Sequence, residues 1–370
     1  MKPRVLLMGC GGIGGILGAA LAKEERDLVA VTHNEAIAAA INQRGFDVTE
    51  EERRTQVRAR AHVTVPAGSA PFDFVFLATQ PPQIEEAATA AAPLLAPDGA
   101  MVCFQNGLCE QRVANLVGAE HTLGAIVAWG GSMTAPGVYE RTSAGGFVIG
   151  RLDGGHDPRL PVLRRLLEPI GPVDITDNLA GSRWSKLAIN CAISSLGTIG
   201  GDRLGALLRY RFARRLGLEV MTEAVAVATA CDIQLEKVAG TIDLEWVALT
   251  EADTVGPGSP SLMAKHALLL AVGAKFRRLR SSMLAAIERG CEPAVDYLNG
   301  EVVTRGLSHG IATPINARVR TMIHAIARDE CRPGIDLLRR LYHESRGDVG
   351  PRPRSPRRGD GIALEASPPA

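Results

Sequence analysis

Three polar residues spaced by four, Lys186, Asn190 and Ser194, form a stripe on an otherwise apolar segment. Residues four apart share one face of an α-helix, so the ammonium, amide and hydroxyl groups point the same way. Burial lowers the pKa of a lysine from about 10.4, which suits a group that gives up a proton near neutral pH. We favour a general acid at Lys186 over a lysine that extends its ammonium to solvent, because the amide and hydroxyl share its face.

A second candidate is Asn106, in the sequence FQNGL at residues 104–108, where a predicted strand ends. In an open α/β sheet, ligands bind beyond the carboxyl ends of the strands. An amide at this point is placed to hydrogen-bond a substrate or the ribose of a cofactor. An ordinary Asn-Gly turn explains the same two residues equally well.

A G-x-G-x-x-G pattern lies near the start of the sequence, between an apolar run and an alanine- and leucine-rich segment. In that context the first glycine permits a tight turn, the second lets the backbone approach a pyrophosphate, and the third lets helix and strand pack closely. The free N–H groups at the helix N-terminus favour phosphate binding. The pattern therefore predicts a dinucleotide site formed by Gly9, Cys10, Gly11, Gly12, Ile13 and Gly14.

Two later residues carry weaker signals. Ser282 either caps a helix or binds a substrate carboxylate, and Asp296 either charges a helix N-terminus or contacts a substrate. From the residues alone, the structural interpretation is favoured for both.

The elements that must position these residues alternate between strand and helix as far as residue 177, which predicts a parallel, doubly wound sheet. Strands are predicted at 5–8, 27–32, 62–66, 72–79, 100–105, 122–129, 137–142, 147–150 and 173–176, and helices at 15–23, 34–43, 82–95 and 157–167. The charged segment 44–60 is predicted as a connection with one short strand. The short strands between 122 and 150 are predicted to extend the sheet at its edge.

From residue 178 the periodicity is almost entirely helical. Helices are predicted near 181–199, 204–229, 233–249, 281–288, 295–309 and 314–327, with a loop at 256–260. The sequence thus predicts a dinucleotide-binding domain at 1–177 and an all-α substrate domain at 178–343. Residues 344–370 are rich in Pro, Arg, Gly and Ser and are predicted to form a disordered tail.

Composition sets further bounds. A chain of 370 residues is long enough for two hydrophobic cores, and its formal charge of +1 gives no indication of a nucleic-acid or membrane partner. The seven cysteines show neither a C-x-x-C pair nor metal-ligand spacing, which predicts reduced thiols, no metal site and a cytoplasmic location.

Together with the glycine pattern, four short sequences resemble the ketopantoate reductase (2-dehydropantoate 2-reductase) family over about residues 4–328. They are QNG at 105–107, WSKLAINC at 184–191, SSML at 281–284 and VDYLNG at 295–300. The resemblance implies a Rossmann-type domain followed by an all-α domain like that of 6-phosphogluconate dehydrogenases. It also implies NADPH-dependent reduction of a 2-oxo acid to a 2-hydroxy acid in pantothenate biosynthesis.

The resemblance implies roles for individual residues. Lys186 matches the catalytic lysine that gives a proton to the forming alkoxide, and Asn106 matches the asparagine between cofactor and substrate. Asn190 and Ser282 match substrate-binding positions, and Ser194 stands where the reductases usually have another asparagine.

Three more positions depart from the family pattern. Ala294 replaces the active-site glutamate, which leaves open whether the substrate is ketopantoate or a related 2-oxo acid. His33 replaces the arginine that takes the 2′-phosphate, and Gln80 replaces a lysine after the fourth strand. NADPH is favoured over NADH, because no Asp or Glu ends the second strand to bind an NAD ribose.

Other functions remain open from the sequence. An opine or imine dehydrogenase shares the two-domain plan and reduces a C=N bond. A nucleotide-binding regulator without turnover is compatible with the missing glutamate and lysine. The expected partner is a small-molecule substrate, and the sequence leaves open whether the protein is a monomer or a homodimer.

Overall fold

The computed structural model describes residues 2–69, 71–238, 242–255 and 259–347. The strands of its larger sheet are β1 (Arg4–Met8), β2 (Asp27–Val31), β5 (Ala61–His62), β6 (Phe72–Leu77), β7 (Leu95–Cys103), β8 (Thr122–Val127), β11 (Phe147–Gly150) and β12 (Val173–Ile175). Their order is β12-β11-β8-β7-β6-β1-β2-β5. All neighbours are parallel except β8 and β11, which confirms the predicted α/β class.

Helices cover both faces of this sheet. They are α1 (Gly12–Lys23), α2 (Glu35–Arg44), α3 (Ile84–Ala91), α4 (Cys109–Val117) and α5 (Leu160–Leu167). Alternate residues of a strand point to opposite faces, so Val5 and Leu7 pack with α1, α2 and α5, while Leu6 and Met8 pack with α3 and α4. Because β1 is buried on both faces, it reads as a continuous apolar run. The sequence analysis did not predict α4.

A second sheet corrects two sequence predictions. Its strands are β3 (Phe46–Glu50), β4 (Arg53–Val57), β9 (Gly131–Ala135) and β10 (Val138–Arg141), in the order β4-β3-β10-β9. Residues 44–60 therefore form a hairpin rather than a connection with one strand, and residues 137–142 do not extend the main sheet. This sheet packs on α1, where a Cβ at Gly15 would lie 2.0 Å from the Tyr139 ring. Because β4 is largely exposed and charged, it lacks the apolar alternation that predicts a strand.

From residue 179 onward the described elements are helical. They are α6 (Leu179–Gly200), α7 (Leu204–Leu207), α8 (Arg211–Ala230), α9 (Leu244–Val247), α10 (Glu251–Val255), α11 (Pro260–Lys275), α12 (Ser282–Ile287), α13 (Asn299–Ser308), α14 (Pro314–Ala327) and α15 (Ile335–Gly347), with a 3₁₀ turn at Ala294–Tyr297. The long helix α6 lies at the centre and packs against α8, α12, α14 and α15. Its buried face joins the others in one hydrophobic core.

Several predicted helix bounds were wrong. The helix predicted over 204–229 is two helices, because Tyr210 adopts an extended conformation between them. Among the described residues of the predicted 233–249, only 244–247 is helical, and α11 was not predicted. The predicted tail begins inside α15, which continues to Gly347. The remainder of that tail, and residues 256–258 of the predicted loop, lie outside the described residues.

A fully buried polar contact joins three helices of this half. Asn299 accepts a hydrogen bond from Ser195 Oγ at 2.8 Å and donates to Asn316 Oδ1 at 2.8 Å. Such a network is stable only when its members are paired, so it fixes α13 and α14 against α6. Across the described ranges, no helix combines the length and apolar character needed to cross a bilayer.

Candidate active site

The glycine turn after β1 is packed tightly at Gly9, Gly12 and Gly14 and open at Gly11. Gly9 has a φ of +101°, and a Cβ there would lie 2.8 Å from the backbone nitrogen of Thr79. A Cβ at Gly14 would lie 1.9 Å from the Gly9 carbonyl oxygen. A Cβ at Gly11 would meet no atom within 4 Å. The free space therefore lies at the glycine where a ligand was predicted to approach the backbone.

Helix α1 begins at this turn with unpaired donors. Gly11 is its N-cap and offers no side-chain hydrogen bond, and both Gly12 and Ile13 are partly exposed. The first N–H groups of a helix have no partner within it and carry the positive end of the helix dipole. A dinucleotide pyrophosphate fits this turn, since open space at Gly11 and free backbone donors occur together.

Cys10 contributes to the turn through packing. Its side chain is buried, and burial raises the pKa of the thiol to about 12. The Tyr139 hydroxyl donates to the Cys10 carbonyl at 3.0 Å, which ties the turn to the second sheet. The thiol is therefore a protonated, packed group rather than a nucleophile.

Two predicted cofactor residues flank β1 at the same sheet edge. His33 is exposed just after β2 and lines a cavity of about 350 Å³ with Met8 and Val31. Gln80 is exposed at the start of the loop after β6. Asn34, next to His33, caps α2 by accepting from the Ile37 N–H at 3.1 Å. No carboxylate stands at positions 32–34.

Asn106 is exposed beyond the end of β7. The glycine after it, Gly107, has a φ of +97°, and a Cβ there would lie 2.3 Å from the Tyr297 carbonyl oxygen. Just before it, the buried Gln105 donates to the Thr79 carbonyl at 3.2 Å and so joins the loops after β6 and β7. The Asn-Gly pair thus forms a tight turn that presents the Asn106 amide at the sheet edge.

Lys186 reaches the same edge from α6. Its Nζ donates to the carbonyl of Val127 at 2.7 Å, and Val127 is the last residue of β8, the strand beside β7. The side chain is half-buried. Burial and, to a smaller extent, the positive charge of Arg183 lower the pKa of Lys186 to about 7, with Glu110 partly opposing both. The ammonium is therefore ready to give up a proton near neutral pH.

Arg183 and Glu110 lie close to the strand ends where the site is predicted. The sequence analysis did not select either residue. Both are buried, and Arg183 Nε donates to Glu110 Oε1 at 2.5 Å. Arg183 also donates to the carbonyls of Gln105 and Cys103 at 2.8 and 2.9 Å. One signal was available in the sequence: an arginine on a helix predicted to be buried requires a buried partner.

Models of one protein family match most of the chain. The model described as ketopantoate reductase PanE/ApbA matches residues 5–154, and the model of its C-terminal region matches residues 178–327. The chain belongs to the ketopantoate reductase family. It is accordingly an NAD(P)H-dependent oxidoreductase, as the glycine turn and the lysine at the sheet edge lead one to expect.

Individual relatives match this chain over nearly the whole of their own length. A 2-dehydropantoate 2-reductase of Pyrococcus horikoshii is 23% identical over 324 residues, which cover 87% of this chain and 97% of the relative. The crystal structure of a PanE/ApbA family ketopantoate reductase from Ralstonia eutropha JMP134 superposes with a TM-score of 0.72 at 24% identity. It covers 88% of this chain and 99% of that one.

A fold neighbour is D-mandelate dehydrogenase, in a ternary structure with NADH and anilino(oxo)acetate. Its TM-score is 0.74 at 17% identity, and the match covers 88% of this chain and 99% of that one. At this identity the similarity concerns the fold alone.

Two of the three residues predicted to bind substrate, Asn190 and Ser194, lie on α6. Asn190 follows Lys186 by one turn, and its Nδ2 is buried with no hydrogen-bond partner in the described structure. Ser194 is half-buried one turn further on. An unpaired buried amide is unusual in a folded protein, so this Nδ2 is available to a ligand or an ordered water.

Helix α12 is capped by Ser281 and not by Ser282. Ser281 is the N-cap, accepting from the Leu284 N–H at 3.3 Å, and it donates to the Ser194 carbonyl at 3.0 Å. Ser282 is exposed and does not cap the helix. The capping interpretation of Ser282 was therefore wrong, and its substrate-binding role stays a prediction.

The 3₁₀ turn at Ala294–Tyr297, where the family resemblance implies a glutamate, lies against Gly107. Here it begins with Ala294, whose methyl group offers no charge. Asp296 accepts from Arg320 at 2.5 Å and from His324 at 3.2 Å, so its carboxylate is committed to α14. These contacts support the structural interpretation of Asp296. Its carboxylate therefore does not replace the one that is missing at position 294.

Proposed function

We propose that this chain catalyses the NADPH-dependent reduction of a 2-oxo acid, ketopantoate or a related acid, to a 2-hydroxy acid. The observation that carries the proposal is the Lys186 ammonium, bonded to Val127 at 2.7 Å, with a pKa lowered to about 7. It stands at the same strand ends as the glycine turn and Asn106. An acid near neutral pH is what carbonyl reduction requires at the oxygen.

The cofactor would be held by the chain's N-terminal elements. The N–H groups at residues 11–13 would bind the pyrophosphate, with Gly9 and Gly14 shaping the turn. His33 and Gln80 would contact the adenosine side, and Asn106 the nicotinamide side. When bound, the reduced dinucleotide would supply a hydride, one proton with two electrons, to the substrate carbonyl carbon.

The chain's own residues provide the rest of the reaction. Lys186 gives its proton to the carbonyl oxygen and stabilises the negative charge that forms there. The unpaired amide of Asn190 donates to the substrate, and Ser194 and Ser282 orient it. Burial of the lysine favours its neutral form after the transfer, and the proton is regained from solvent in the next cycle.

Two features bear on specificity. The absence of Asp and Glu at positions 32–34 favours NADPH, because the usual partner of an NAD ribose is missing. Ala294 removes an acceptor for a substrate hydroxyl, which favours 2-oxo acids without one.

The test is a steady-state panel on the purified full chain. NADPH and NADH oxidation would be followed with ketopantoate, 2-oxoisovalerate and benzoylformate, each with and without an amine. We expect turnover without amine, a higher kcat/KM with NADPH, and no advantage for ketopantoate over 2-oxoisovalerate. Turnover only with an amine would indicate an imine dehydrogenase. Tight NADPH binding without turnover on any acid would indicate a regulator and overturn the proposal.

A further inference from the structure

An ion pair lies beneath the proposed acid. Glu110, on α4, and Arg183, on α6, are 1% and 2% exposed, and they join the sheet-bearing half of the chain to the helical half. Removing two charges from water is costly unless their hydrogen bonds are nearly complete. Burial raises the pKa of Glu110, and the Arg183 guanidinium opposes that rise. Stability alone therefore does not explain why a charged pair is buried at this position.

The remaining contacts of Arg183 indicate what the pair does. Its Nη1 donates to the Gln105 carbonyl at 2.8 Å, and its Nη2 donates to the carbonyls of Cys103 at 2.9 Å and Ala125 at 3.3 Å. These carbonyls lie at or just beyond the carboxyl ends of β7 and near that of β8. The planar guanidinium thus fixes the first turns of α6 to the sheet edge where the reaction is proposed.

Both proposed site residues depend on this attachment. Lys186 lies one turn after Arg183 on the same helix, and Asn106 directly follows the carbonyl that Arg183 binds. We propose that the Glu110–Arg183 pair is the positioning element of the active site, which holds the Lys186 ammonium and the Asn106 amide in register. This inference rests on the proposed function of Lys186 as the acid.

The pair also acts on Lys186 through its charges. Within the described residues, two charged groups shift the pKa of this lysine: Arg183 on its own helix lowers it, and Glu110 on α4 raises it. The two partners of one ion pair therefore have opposite electrostatic effects on the acid. Removing either charge should therefore move the pKa of Lys186 in a direction set by the sign of that charge.

The first test uses the pH dependence of kcat for reduction. The protonated lysine is the active form, so kcat falls as pH rises through its pKa. Glu110→Gln should move this descending limb to lower pH by about one unit, and adding Arg183→Met to that variant should move it back up. Shifts in the same direction, or no shift in an active enzyme, would overturn the charge effect.

The second test separates positioning from charge. Arg183→Lys keeps the positive charge but loses the forked contact with the carbonyls of β7 and β8. We expect its pH limb to stay near that of the wild type while kcat drops about tenfold or more, with cofactor affinity unchanged. A kcat within twofold of the wild type would overturn the positioning role, whatever the pH profiles show.

A matched control is available in the helical half. Glu219 accepts from Arg215 at 2.6 Å and from Arg346 at 3.0 Å, and its side chain is also buried. Glu219→Gln is the same chemical change in a buried pair elsewhere, and it should leave the pH limb unmoved. Circular dichroism and thermal unfolding would verify that each variant folds. Full activity in Lys186→Ala would instead refute the proposed function, which keeps the two failures distinct.

Discussion

Replacing Lys186 with methionine should alter the pH dependence of stability, quite apart from turnover. The pKa of this lysine is about 7 in the folded protein, against an ordinary value of 10.5. Between those values the unfolded chain holds one proton more than the folded chain. The free energy of unfolding of the wild type therefore rises with pH in this window, and this lysine weakens the fold most at low pH.

The magnitude follows from proton linkage. Between about pH 6 and about pH 9, the wild type should gain about 2 to 3 kcal/mol of unfolding free energy that the Lys186→Met variant does not gain. Urea unfolding at both pH values gives the change in unfolding free energy for each protein. The difference between the two changes, here called the double difference, isolates Lys186, because the other titrating groups contribute equally to both proteins.

An exposed lysine serves as the control for this measurement. Lys237→Met should keep the wild-type pH dependence, because burial and not the loss of an ammonium causes the effect. A double difference below about 0.5 kcal/mol for Lys186→Met would refute the inference that its folded-state pKa is lowered.

Three further predictions concern the cofactor turn and the helical core. Gly11→Ala places a methyl group in the open space of the turn, so NADPH affinity in a fluorescence titration should fall about tenfold with the fold intact; an unchanged Kd would contradict the assigned phosphate site. His33→Ala should lower kcat/KM with NADPH more than with NADH, and an equal loss would show that His33 does not read the 2′-phosphate. Asn299→Leu removes the partner of the Ser195 hydroxyl on α6 and of Asn316 Oδ1 on α14, and it should cost about 2 to 4 kcal/mol in urea unfolding; a loss under about 1 kcal/mol would contradict the buried network.

The parts of the fold with strong periodicity were predictable from the sequence. The run before Gly9 and the run at 72–77 are buried on both faces, which leaves continuous apolar sequences. Helix α14 coincides with its predicted bounds, because Pro314 starts it and its apolar spacing is regular. The exposed strand β4 and the helix α11 have no comparable one-sided pattern, and tertiary packing decides their structure.

The candidate site was predictable from the sequence where its signal lies within a single helix or turn. The stripe on α6 and the glycine turn depend on spacing within one element, and both are present in the structure. The Glu110–Arg183 pair joins residues far apart in the chain, and the capping role belongs to Ser281 rather than its neighbour. Contacts between distant segments have no signature in a single sequence, so the structure was needed to find them.

The most direct test of the account is a single-turnover measurement on the Lys186→Ala variant with bound NADPH and a 2-oxo acid that the wild type reduces. The account predicts an NADPH affinity within about twofold of the wild type and a rate of reduction lower by roughly 100- to 10,000-fold. Reduction at a rate close to that of the wild type would show that the proton comes from another group and would contradict the central claim.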